Sequence, residues 1–124
     1  MKTFDELGLD TALLESIREI GFETPSPIQE EVIPYLLESS GDVIALAQTG
    51  TGKTAAFGLP ILQKTDLQLH EIQALVLSPT RELCVQIATE LKRYSTRMEH
   101  LHLVAVYGGG DIRKQLKALD RTPQ

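Results

Sequence analysis

Apolar positions along the chain follow two different periods. Between Asp10 and Ile20, the residues Leu13, Leu14, Ile17 and Ile20 fall on one helical face. This predicts a short helix capped by Asp10 and ended by Gly21. A second helix is predicted from Ser26 to about Leu37. Ser26 is its N-cap, Pro27 takes the first helical position, and Gln29 stands where a capping box needs it. Pro34 predicts a bend. The period then changes. DVIALAQ (42–48) is an unbroken apolar run, β-branched at its start, and reads as a buried parallel strand. IQALVLSP (72–79) and HLVAVYGGG (102–110) read as two more strands, the last entering a Gly turn. Helices are predicted between and after them: Gly52 to about Gln63, with Pro60 a local irregularity, Arg81 to about Met98, and Asp111 to Leu119. The long one carries Leu83, Ile87, Leu91 and Tyr94 on one face, and the last carries Ile112, Leu116 and Leu119. Strands alternating with helices predict an α/β fold with a parallel sheet.

Composition narrows this picture only a little. A chain of 124 residues makes one domain at most. Its apolar content of 42% and charged content of 23% are those of an ordinary globular chain. No apolar run approaches the roughly 18 residues of a membrane span, so no membrane partner is expected. The start, MKTFDELGLD, has acids where an export signal has its apolar stretch. Cys84 is the sole cysteine, which rules out an internal disulfide. Together these predict a cytoplasmic protein. Net charge is −5, which argues against holding nucleic acid by bulk electrostatics. The charge is uneven: residues 1–60 carry ten acids against three bases, and residues 61–124 carry nine bases against seven acids. A polyanion site beyond any local loop belongs in the second half. His70, His100 and His102 form no convincing zinc set with a single cysteine.

The chemistry is concentrated in AQTGTGKT (47–54). Gly50 and Gly52 remove side-chain bulk, so backbone N–H groups can turn inward on an anion. The helix starting near Gly52 points its positive end at the same place. Lys53 offers a point charge for β- and γ-phosphates, and Thr54 offers a hydroxyl to a Mg²⁺ that bridges them. The phosphate-loop pattern starts on Gly, whereas Ala47 stands there in this chain. The plain alternative is a Gly-rich surface turn with a solvated lysine. A chance match in a chain this long is on the order of 1%, and this match lies between a predicted strand and a predicted helix.

Upstream lies GFETPSPIQ (21–29), with Phe4 seventeen residues before Gly21. Downstream lie PTRELCVQ (79–86) and the pair Gly108–Gly109. With a loop that begins on Ala47, this succession resembles the DEAD-box ATP-dependent RNA helicases over the whole chain. Cys84 departs from the usual Ala, small for small. The resemblance implies the N-terminal portion, residues 1–124, of a RecA-like P-loop NTPase domain, with parallel strands, flanking helices and an incomplete sheet. Residues 1–30 would form its adenine-recognition segment, the Q motif. It implies ATP or ADP and Mg²⁺ as cofactors, held by Phe4, Phe22, Gln29, Ala47, Gln48, Thr49, Gly50, Thr51, Gly52, Lys53 and Thr54. Thr54 would meet the metal through the nucleotide. Gln29 would accept from adenine N6–H and donate to N7, which excludes guanine; the residues alone allow it simply to close the capping box with Ser26. RNA would contact Pro79, Thr80, Arg81, Glu82, Gln86, Gly108 and Gly109 through its backbone, without reading bases. Read alone, Thr80 is an N-cap, Glu82 a favourable first-turn acid and Arg81 an exposed base.

The chain stops at RTPQ, ahead of where the family places its TPGR-like, D-E-A-D and SAT motifs and a second RecA-like domain. No catalytic set is complete, and Lys53 and Thr54 only contribute to one. The expectation is therefore an ATP- and RNA-binding fragment without turnover of its own. Two alternatives are a non-catalytic truncated nucleotide- or RNA-binding module and another P-loop ATPase such as a DNA helicase. Strands missing from between 42–48 and 72–79 would leave unpaired edges, which predicts a homodimer or other self-association.

Overall fold

A computed structural model describes residues 2–124. A 3-10 turn, Phe4–Leu7, precedes five helices: α1 Thr11–Glu19, α2 Pro27–Glu38, α3 Lys53–Lys64, α4 Arg81–Tyr94 and α5 Ile112–Leu119. The five predicted helices are all present. Gly21, at φ +89°, follows the end of α1, and α2 runs on through Pro34. α4 stops at Tyr94, four residues short of Met98, because Thr96 and Arg97 turn back onto Ser16. Ser16 is fully buried: its hydroxyl donates to Ala12 O and accepts from Thr96 Oγ1 and the Arg97 amide.

The core is helical. Leu7, Leu13, Ile17, Ile33, Leu59, Leu62, Ile87, Leu91 and Tyr94 are buried against one another. α3 packs on both α2 and α4, and α1 on α4. Gly58 permits the α3–α4 approach: a Cβ there would stand 2.5 Å from Leu91 Cδ2. Gln63 ties α3 to the N-terminal segment, donating to Gly8 O and accepting from the Asp10 amide.

The three predicted strands are a correction. Among the described residues none forms a strand ladder. Segments 42–48, 72–79 and 102–107 are irregular in hydrogen bonding and far from buried. Ile44 is 90% exposed, Leu46 89%, Leu75 78% and Leu77 84%. The alternate residues Ala74, Val76 and Ser78 are half-buried. A strand is a pairwise object whose backbone groups need a neighbouring chain, and these segments do not lie against one another. The last residue shows the spacing of two of them. Gln124 O accepts from the Gln73 and Ala74 amides, and Gln124 N donates to His102 O at 3.1 Å. One residue thus bridges both segments, which sets them about two strand spacings, ~9.6 Å, apart. At the other end Cys84 Sγ reaches Val106 O, and Arg81 lies against Gly108 and Gly109. The two segments therefore run side by side in the same direction with a strand-wide gap between them.

Candidate nucleotide and RNA site

The loop from Ala47 to Thr54 is shaped by its two left-handed glycines, Gly50 at φ +78° and Gly52 at φ +80°. Its carbonyls are taken by side-chain donors. Thr51 Oγ1 donates to Gln48 O (2.7 Å), and Lys53 Nζ to Ala47 O (2.6 Å). Two donors come from the start of α2: Ser26 Oγ to Thr51 O (2.7 Å) and Gln29 Nε2 to Gly52 O (3.1 Å). In a trans peptide N–H and C=O point in opposite directions. Fixing these carbonyls turns the amides of Gln48, Thr49, Gly52 and Lys53 to the other side, as an anion-binding nest requires. Lys53 and Thr54 open α3, so the loop sits at the positive end of that helix. A side chain at Gly52 would collide with Gln29, so the glycine also keeps the two motifs in contact.

Gln29 is 5% exposed. Its Oε1 accepts from the Ser26 amide at 2.9 Å, the capping bond expected from sequence. The bond from Nε2 to Gly52 O was not legible in any local pattern. A carboxamide has two N–H groups and two oxygen lone pairs, so one of each remains. Phe22 is half-buried, its ring centroid 5.7 Å from that of Phe4 and 5.7 Å from that of Tyr94. Phe4 is 4% exposed and belongs to the core, placed to support Phe22. Burial first, and Glu90 second, raise the Tyr94 phenol well above its ordinary range, so this packing partner stays neutral.

The second face gathers at the start of α4. Thr80 caps that helix, its hydroxyl accepting from the Leu83 amide at 3.2 Å. The Arg81 guanidinium lies along the Gly pair: a Cβ at Gly109 would stand 2.5 Å from Nη1, and one at Gly108 3.8 Å from Nε. Pro79, Thr80, Arg81, Glu82, Gln86, Gly108 and Gly109 are all exposed. PTREL and the glycine pair, separated by more than twenty residues, thus make one surface with a guanidinium, a capped helix start and bare backbone. Sequence reasoning missed Gln115, which accepts from Tyr107 N (3.0 Å) and donates to Tyr107 O (3.1 Å), holding the approach to the Gly turn.

No cluster of three or more His, Cys, Asp or Glu side chains that would hold a metal occurs among the described residues, and no helix is long and apolar enough to cross a membrane. Thr54, the second residue of α3, is half-buried and stands directly after Lys53.

A family model described as DEAD/DEAH box helicase matches residues 26–124. The ATP-dependent RNA helicase CshA of Limosilactobacillus reuteri is 52% identical over 121 residues, covering 98% of this chain and 24% of that protein. The crystal structure of a DEAD box protein from Methanococcus jannaschii superposes with a TM-score of 0.90 at 39% identity, covering 98% of this chain and 33% of that one. S. cerevisiae Dbp5 bound to RNA and ADP BeF3 superposes with a TM-score of 0.80 at 34% identity, covering 90% of this chain and 30% of that one. The chain therefore spans about a quarter of the length of the curated relative it matches.

Proposed function

This chain belongs to the DEAD/DEAH box helicase family, and on that premise we propose that it is the ATP- and RNA-binding N-terminal part of an ATP-dependent RNA helicase. The observation that carries the reading is the bond from Gln29 to Gly52, which joins a purine-reading side chain to a phosphate loop. The hydrogen and lone pair left on Gln29 suit adenine N7 and N6–H, whereas guanine presents an acceptor to the carboxamide oxygen. Capping and base recognition are then compatible uses of one side chain. Phe22 stacks on the base and Phe4 holds Phe22 from behind. Residues 1–30 form the adenine-recognition segment.

Ala47 to Gly52 cradle the triphosphate by backbone amides. Lys53 leaves Ala47 O to meet the β- and γ-phosphates. When Mg²⁺ is bound, it neutralises charge on those phosphates, and Thr54 supplies its protein oxygen. RNA lies along Arg81, the start of α4 and Gly108–Gly109, held by its sugar-phosphate backbone and without base preference. Supporting this is the Dbp5 relative, whose structure holds RNA and ADP BeF3. We place the parent protein in the cytoplasm, unwinding or remodelling RNA. The exposed apolar side chains of Ile44, Leu46, Leu75 and Leu77 suit self-association, as a homodimer or otherwise, through the unpaired extended segments. A light-scattering mass of one chain removes that last reading.

Calorimetric titration with ATP, ADP and GTP tests the site. ATP and ADP are expected to bind and GTP to bind more weakly, with the preference lost in Gln29→Ala. Equal binding of ATP and GTP by the unsubstituted chain takes Gln29 out of the site. The ratio is the readout because Gln29→Ala also removes a cap and a loop contact, which weakens every nucleotide alike.

A further inference from the structure

The Gly turn after Tyr107 is held at two points. On one side the Arg81 guanidinium lies against Gly108 and Gly109. On the other, the Gln115 carboxamide closes on the backbone of Tyr107. Its Oε1 accepts from the Tyr107 amide at 3.0 Å, and its Nε2 donates to the Tyr107 carbonyl at 3.1 Å. A side chain that satisfies the N–H and C=O of one residue together stands in for a neighbouring strand. An extended chain presents its backbone groups to alternate edges from one residue to the next. His102 presents its carbonyl toward Gln124. Tyr107, an odd number of positions further on, presents its groups to the opposite edge, and Gln115 occupies that edge. Gly110 leaves the room for it: a Cβ there would stand 2.5 Å from Gln115 Nε2 and 3.1 Å from the Tyr107 ring. The base of this clasp is fixed as well. The Asp111 carboxylate caps α5, accepting from the Arg113 and Lys114 amides at 3.0 and 3.4 Å, and the Asp111 carbonyl accepts from the Gln115 amide at 3.1 Å. Gly108, Gly109 and Gly110 are thereby enclosed in a short ring that starts and ends at Tyr107. Successive glycines left open would be the most freely varying backbone a chain can have.

We propose that Gln115 is a positioning residue for RNA: by clasping Tyr107 it presets the Gly108–Gly109 backbone against Arg81 to receive a sugar-phosphate chain. The inference rests on the reading of that face as the RNA surface. Gln115 acts through the turn and does not itself touch RNA. A turn ordered before RNA arrives spares the complex the entropy of ordering it, so the clasp contributes to affinity without adding a contact. The Gln115 side chain bonds to Tyr107 and to no residue of the nucleotide loop, so ATP binding is indifferent to it. A clasp that only steadied α5 would leave RNA affinity unchanged when removed.

The test uses the full 124-residue chain and fluorescein-labelled decauridylate, followed by fluorescence anisotropy at low salt. Gln115→Met keeps side-chain length and helix propensity while removing both bonds. It should weaken RNA binding about tenfold, leave ATP affinity by calorimetry unchanged, and speed hydrogen exchange at the Tyr107 and Gly108 amides. Its salt dependence should match that of the unsubstituted chain, because no cation that meets phosphate is lost. Arg81→Gln, by contrast, should flatten the log–log salt slope by ~0.7. If Gln115→Met fails to fold, Gln115→Asn, one carbon too short to close the clasp, carries the same expectations. Unchanged RNA affinity with faster exchange at Tyr107 would overturn the proposal and leave the RNA surface standing. Weaker RNA binding with unchanged exchange would also overturn it, by making Gln115 a direct RNA contact. No RNA bound by the unsubstituted chain would remove the RNA surface itself, and the proposal with it.

Discussion

The three extended segments are more apolar in sequence than the helices, yet it is the helices that form the core. Ile17, Ile33 and Leu59 are fully buried, whereas Ile44, Leu46 and Leu77 face solvent. A helix closes its hydrogen bonds within itself and needs one packing partner for its apolar stripe. An apolar strand needs two flanking chains and a layer on each face. The contrast teaches that hydrophobicity marks a segment for burial without supplying the partner that buries it.

The largest expected effect separates the two regions directly. Leu59→Ala should cost about 2–5 kcal/mol of unfolding free energy, while Ile44→Ala should change it by less than about 0.5 kcal/mol. Urea titration followed by circular dichroism measures both, and equal losses would place Ile44 in a core. Gly58→Val comes next, at about 1–3 kcal/mol, because the added carbons meet Leu91 in a packed seam. A neutral result would show that α3 and α4 have room to part. Asp111→Ala should cost about 1 kcal/mol locally. The Asp111 carboxylate accepts from the Arg113 and Lys114 amides, and α5 buries no residue to compensate. Faster amide exchange confined to residues 112–119 is the readout.

The smallest effect is a pH dependence at the N-terminus. The Thr3 amide bonded to Glu6, and the Arg18 guanidinium bonded to Asp5, hold both carboxyls below their ordinary values of 4.5 and 3.8. A depressed folded-state pKa stabilises above the unfolded value and is lost as pH falls through the folded one. The Phe4–Leu7 turn should therefore loosen only below about pH 4, and Glu6→Gln should remove most of that dependence. NMR shifts of Leu7 and Phe4 report it.

Helix positions were legible because caps and periodicity are local: Ser26 with Gln29, Thr80, Asp111 and the i, i+3, i+4 apolar stripes all lie within a turn or two of what they control. The loop was legible for the same reason, since Gly50, Gly52, Lys53 and Thr54 are contiguous. The end of α4 at Tyr94 was not, because Ser16, some eighty residues away, draws Thr96 and Arg97 back. The strands were misread as buried because a ladder depends on chains far off in sequence.

What the amino-acid order determined alone is the helical register, the phosphate loop and the family motifs, each set by side chains in reach of their own backbone. Tertiary structure decided that Gln29 and Ser26 close on the loop, that Arg81 meets Gly108–Gly109, that Phe4 retreats into the core, and that a strand-wide gap stands beside Gln124. Those outcomes depend on which distant surfaces come within hydrogen-bond and van der Waals range. That is a property of the packed chain, which no window of neighbouring residues contains.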